Sequence, residues 1–111
     1  MKDMFQALYS NNKVYHYNDI ENNLVERNIN IVRDDIISSI NKGAFTGCAS
    51  LTSIEFPNCT IIGNSAFALC YSLTSAIFPN CTAIDDSAFW YCDSLTSVIF
   101  PNCTAIGSYA F

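Results

Sequence analysis

Six cysteines in 111 residues are the first chemistry this chain offers. They stand at 48, 59, 70, 81, 92 and 103, a constant spacing of 11. A zinc site needs closely spaced Cys pairs with a second pair or a His in reach, and even spacing supplies none. A disulfide ladder is conceivable, because cysteines one repeat apart in a stack fall within bridging distance. Buried free thiols are the favoured reading: Cys recurring in step with Phe and Ile is the pattern of a small apolar core position. His16 is the single histidine. A Cys–His nucleophile would need an exposed, activated thiol beside it, and the periodicity accounts for all six. Tyr15-His16-Tyr17 therefore reads as packing, and an enzyme built around His16 is the weakest of the functional hypotheses.

Two further candidates fail in similar ways. Asp85-Asp86 with Asp93 would attract a cation, but calcium takes about six or more oxygens, so a solvated acidic edge is expected. Asn58-Cys59-Thr60, Asn80-Cys81-Thr82 and Asn102-Cys103-Thr104 are N-glycosylation sequons. A stack of Asn side chains bonding the turns is the preferred explanation. No catalytic residue, metal or cofactor is assigned.

The spacing that removes this chemistry reveals the construction. Phe occurs at 45, 56, 67, 78, 89, 100 and 111, again every 11 residues. The segments between alternate in type, so the full period is 22. One type is Phe-Pro-Asn-Cys-Thr-x-Ile, as in Phe56 to Ile62. The other is Ala-Phe-x-x-Cys-x-Ser-Leu-Thr-Ser, as in Ala44 to Ser53. Three copies run from about Gly43 to Gly107 and a fourth begins at Tyr109-Ala110-Phe111. Leu51, Ile54, Phe56, Cys59 and Ile61 fill the pattern L-x-x-L-x-L-x-x-N/C-x-L, as do their counterparts in the next two copies.

One such unit cannot bury its own apolar face, whereas stacked units share a core. Ile54 and Phe56 are expected to point inward from a short strand, with Ser53 and Glu55 outward. Pro57-Asn58 ends the strand, since proline has no donor for a ladder. Ser65, Ser87 and Ser108 are expected to cap a helical or 3₁₀ turn through each Ala-Phe pair.

Copies reading Ile-Gly-x-x-Ala-Phe-x-x-Cys-x-Ser-Leu-Thr-Ser-x-x-Phe-Pro resemble the BspA-like class of leucine-rich repeats, over Ile40 to Phe111. Cys59, Cys81 and Cys103 stand where that class often has Val, and Asp85 replaces the Gly found at 63 and 107. The resemblance implies a non-catalytic, horseshoe-like solenoid that binds proteins or attaches to surfaces. The expected fold class is α/β: a parallel strand ladder with short 3₁₀ or helical returns and a helical N-terminal cap.

Composition changes near Lys42. The five basic residues all lie in the first 42, with six acidic ones, a net of −1. From Gly43 onward only Glu55, Asp85, Asp86 and Asp93 are charged. Residues 1–42 are read as the helical cap or a degenerate first repeat, and 43–111 as the repeats. Met1, Met4, Phe5 and Leu8 share one helical face. Asn18 and Glu21 have capping-box spacing ahead of a second helix to Asn28. Ile36, Ile37 and Ile40 suit a third helix or a first coil, and Asp34 opposes the coil because an apolar residue belongs there.

The formal net charge of −5 and the absence of a Lys/Arg cluster exclude nucleic acid as an expected partner. No apolar run reaches the roughly 20 residues of a membrane helix. Met1-Lys2-Asp3-Met4 does not read as a secretory signal, which points to a reducing, cytoplasmic setting, whereas the resemblance implies a cell surface.

Two surfaces remain for an unknown protein partner. The strand face carries Glu55, Ile77 and Ile99. The variable positions between Phe and Cys carry Leu69, then Trp90 and Tyr91, with Tyr71 close by, and Trp and Tyr are interface anchors. The rival reading is a spacer within a longer surface array. The open C-terminal coil, with Val98, Phe100 and Ile106 partly uncovered, is expected to self-associate.

Overall fold

The computed structural model describes residues 31–111. Eight short strands alternate between two parallel sheets. The first sheet orders β1 (Ile31–Arg33), β3 (Ser53–Glu55), β5 (Ser75–Ile77) and β7 (Ser97–Ile99). The second orders β2 (Ser39–Ile40), β4 (Ile61–Ile62), β6 (Ala83–Ile84) and β8 (Ala105–Ile106). Val32 pairs with Ile54, Ile54 with Ala76 and Ala76 with Val98. Every rung therefore joins residues one 22-residue repeat apart.

The third side of each coil is a run of turns, and it too is laddered. Phe45 N–H donates to Ala66 at 2.7 Å, Phe67 to Ala88 at 2.7 Å and Phe89 to Ala110 at 2.7 Å. Hydroxyls continue the ladder at the corners. Thr60 donates to Ser38 O at 3.1 Å, Thr82 to Thr60 O at 3.1 Å and Thr104 to Thr82 O at 3.3 Å.

Ile54, Phe56, Phe67, Leu73, Phe78 and Ile84 lie in one continuous core, as alternation and the repeat require. Phe45, Phe67, Phe89 and Phe111 form one column with centroid separations of 4.9, 5.2 and 5.2 Å. Each stacked pair adds about 0.5–1.5 kcal/mol beyond burial. Phe56 and Phe78 begin a second column, 5.6 Å apart.

Two expectations are corrected and one open alternative is decided. The returns hold no α- or 3₁₀-helix among the described residues, so this part is all-β rather than α/β. The turns close by i→i−3 bonds such as Cys48 N–H to Phe45 O (3.2 Å), and each coil pairs with the next before a second helical bond forms. Second, the serines do not cap helices. Ser65 and Ser87 sit in the left-handed region, at φ 57° and 58°. Their repeat partners are Gly43 and Tyr109, while Ser108 corresponds to Asp86.

Of the two readings left open for Ile36, Ile37 and Ile40, the first coil is the one found. β1 and β2 pair in register with β3 and β4. Asp34, only 1% exposed, occupies the place of Phe56. One of its carboxylate oxygens accepts Ile36 N–H (2.7 Å) and Ile37 N–H (2.9 Å). The acid is tolerated because it satisfies the turn that follows it. The helices read over Met1 to Leu8 and Asn18 to Asn28 lie outside the described residues, as does His16.

Candidate functional site

The stack aligns the strand-face candidates in one column: Arg33, Glu55, Ile77 and Ile99 are successive register partners. Glu55 is engaged at once, with Arg33 Nε 3.3 Å from its Oε1. Ile77 is half-buried and Ile99 is 46% exposed. The column is therefore charged and paired at one end and apolar at the other.

Leu69, Tyr71, Trp90 and Tyr91 fall on a different side, the turn edge. Leu69 N–H donates to Trp90 O at 2.7 Å, which fixes this edge to its neighbour. Leu69 and Tyr91 stand where the first repeat has Gly47, and all three have positive φ: 76° for Gly47, 63° for Leu69 and 57° for Tyr91. An L-residue there costs roughly 1–2 kcal/mol. Only a surrounding ladder that over-determines the backbone maintains such a conformation.

Trp90 and Tyr91 are 40% and 53% exposed, with ring centroids 4.3 Å apart. They border a cleft of about 470 Å³ that also includes Asp93, Thr96, Tyr109 and Phe111. Trp90 and Tyr109 line a second hollow of about 300 Å³ with Ser65 and Ser87. Ile77 and Ile99 line neither, so the two candidate surfaces are separate. Sequence reasoning missed Tyr109 and Phe111 as lining residues. The signal was available: Tyr109 follows Ser87 by one repeat, on the turn edge.

The reactive groups are used internally. All six cysteines are free, with Cys48, Cys59, Cys70 and Cys81 buried and Cys92 and Cys103 half-buried. Cys70 donates to Phe45 O at 3.1 Å and Cys92 to Phe67 O at 3.0 Å. Burial, then the neighbouring Cys81, pushes the Cys59 thiol up from 9.0 to about 12. Burial raises Cys81 to about 11. The neighbouring Cys70 and Cys92 thiols influence one another, Cys70 being raised and Cys92 lowered.

The sequon asparagines bond the preceding turn, as the sequence reading preferred. Asn80 donates to Pro57 O at 2.7 Å and Asn102 to Pro79 O at 2.9 Å, while Asn58 reaches Asp35 O. Asp85 accepts Asp86 N–H at 2.8 Å and Asp86 accepts Ser108 N–H at 2.8 Å. Among the described residues no group of three or more His, Cys, Asp or Glu is placed to hold a metal. Among them also, no helix is long and apolar enough to cross a membrane.

Short parallel strands in 22-residue coils, with aligned Phe and Cys columns, define a β-solenoid repeat protein of the leucine-rich-repeat kind. The sequence matches the BspA type leucine rich repeat region, in six copies, over residues 11–111. The chain belongs to that family, and the match begins well before Ile40. Two solved structures share the fold. A leucine rich repeat protein of T. pallidum superposes with a TM-score of 0.67 at 23% identity, over 76% of this chain and 54% of that one. A leucine-rich repeat protein from Bacteroides ovatus gives 0.69 at 28% identity, over 75% of this chain and 22% of that one. The chain thus matches about half and about a fifth of their lengths. Comparison with curated proteins gives no match.

Proposed function

We propose that the chain is a non-catalytic protein-interaction module that binds through the turn edge at Leu69, Tyr71, Trp90 and Tyr91. The observation that carries this is the exposed Trp90–Tyr91 pair beside an open cleft, held by a backbone in which Tyr91 is strained. Two large rigid rings presented to solvent are the usual anchors of an interface. Membership of a family of stacked repeats supports the same reading, and the family resemblance supports display at a cell surface as its setting. A pull-down with the intact chain tests the edge. Trp90→Ala with Tyr91→Ala should abolish capture, whereas Ile77→Lys with Ile99→Lys should leave it. The reverse pattern would move the site to the strand face, and capture indifferent to both pairs would favour a spacer.

End-to-end association of copies is a second reading, favoured by one observation. Ile106 and Phe111 are 54% and 53% exposed beside the open edges of β7 and β8. Uncovered strand edges pair with other chains.

A further inference from the structure

We infer that the cleft beside Trp90 takes an arginine side chain from a basic peptide segment. The inference rests on the turn-edge reading and specifies its partner. Three observations meet at the cleft. Trp90, Tyr91 and Tyr109 line it beside the apolar Leu95 and Val98, and a guanidinium stacks on aromatic rings. Asp93 is also among its lining residues, and a guanidinium engages a carboxylate through two parallel N–H donors. The repeat segment around it is uniformly acidic, since no Lys or Arg follows Lys42.

The register explains how these groups come together. Asp93 stands one coil beyond Tyr71, and Tyr91 one coil beyond Leu69, so the carboxylate and the strained ring sit two residues apart on the same edge. Arg33, the one described arginine, is at the far end of the stack and paired with Asp35 and Glu55. Lys42, the other described cation, also lies in the first coil, so we take the cation from a separate segment. A neutral apolar peptide would satisfy the rings and leave the charge without a partner. Lysine would satisfy the charge but lacks the planar fork that stacks and bridges at once.

Fluorescence anisotropy of labelled nona-arginine, titrated with the whole chain near physiological ionic strength, tests this. Saturable binding is expected, several-fold tighter than for nona-lysine, with nona-glutamate not bound. Trp90→Ala, Tyr91→Ala and Asp93→Asn should each weaken it by about two- to fivefold, the range for exposed cation–π and charge contacts. Asp85→Asn with Asp86→Asn should change it less than Asp93→Asn does. Equal binding of the two basic peptides, or binding indifferent to Trp90→Ala, would overturn the inference and leave only a charged surface. Emission from Trp90, the single tryptophan, should shift on adding nona-arginine and stay unchanged with nona-glutamate; no shift with nona-arginine would also overturn the inference. If nona-arginine fails while Trp90→Ala still abolishes capture in the pull-down, the cationic partner falls and the turn-edge site stands.

Discussion

Phe89 and Phe111 lie face to face, their ring centroids 5.2 Å apart and their planes within 3° of parallel. Phe111 also stacks at 5.6 Å on Phe100. It is the ring that holds Phe100 to the first column, while remaining half exposed. Its outer face is therefore apolar surface open to water, and Ile106 of β8 is exposed as well. Light scattering across a dilution series is expected to show a concentration-dependent dimer. Phe100→Lys with Phe111→Lys should yield a monomer. A wild-type chain that is monomeric at high micromolar concentration, or a dimer that survives both substitutions, would refute end-to-end contact.

Thiol accessibility divides the cysteines. Cys92 and Cys103 should react first with a thiol reagent in native protein, because these two are only half-buried. Cys48, Cys59, Cys70 and Cys81 should wait for unfolding. Six thiols are expected after denaturation without reductant, and fewer would reveal disulfides.

The same burial makes stability pH-dependent. Cys59 and Cys81 hold their protons to about 12 and about 11, against 9.0 ordinarily. Their contribution is complete below pH 9. Above it the unfolded chain releases protons that the fold retains, so stability falls by about 1.4 kcal/mol per pH unit for each thiol until its native value is passed. Urea midpoints at pH 8 and pH 10.5 should differ accordingly. Cys59→Ala with Cys81→Ala should flatten the slope.

Asp34→Ala removes the acceptor for the buried Ile37 N–H and the part-buried Ile36 N–H and is expected to cost about 2–3 kcal/mol. Asp34→Asn keeps an acceptor oxygen in place and should cost about half as much. Chemical denaturation of the two variants separates them. Equal losses would show that side-chain volume, rather than bonding to Ile36 and Ile37, matters at this position.

Ser87 holds a left-handed conformation without a ligand-facing ring. Ser87→Gly should relieve about 1–2 kcal/mol of backbone strain and give back about 0.4–1 kcal/mol through a more flexible unfolded chain. A small net gain is expected. Thermal unfolding at fixed concentration reads it, and a lower midpoint would show that the coil ladder imposes no strain there.

How much of this was legible in the sequence depended on whether a position obeyed the period. Ile54, Phe56 and Cys59 could be placed because side-chain alternation and the 22-residue step act together. The coil at Ile31 to Ile40 was obscured by Asp34, since a carboxylate at a core position normally argues against burial. Only the local N–H groups of Ile36 and Ile37 make it acceptable. Helical returns were expected from Ala-Phe pairs behind a serine, a local signal. Hydrogen bonds between coils overrode it, as with Phe67 N–H to Ala88 O. The aromatic edge was visible in Trp90 and Tyr91, but the cleft was not, because Tyr109 and Phe111 reach it from the next coil.

The hydrogen bonds that join one coil to the next span about one repeat: 22 residues between Thr82 and Thr60, 25 between Cys92 and Phe67. A whole 22-residue unit could thus be duplicated or excised between equivalent positions, such as Thr60 and Thr82. The cut ends would meet the partners they already have. Each event would lengthen or shorten the rod by roughly 4.8 Å, one strand spacing. A shift of a single residue would instead turn every Phe and Cys beyond it to the wrong side. Gene-level recombination in multiples of 66 nucleotides is therefore a nearly neutral way for such a chain to change its reach. Insertions of any other size would be purged.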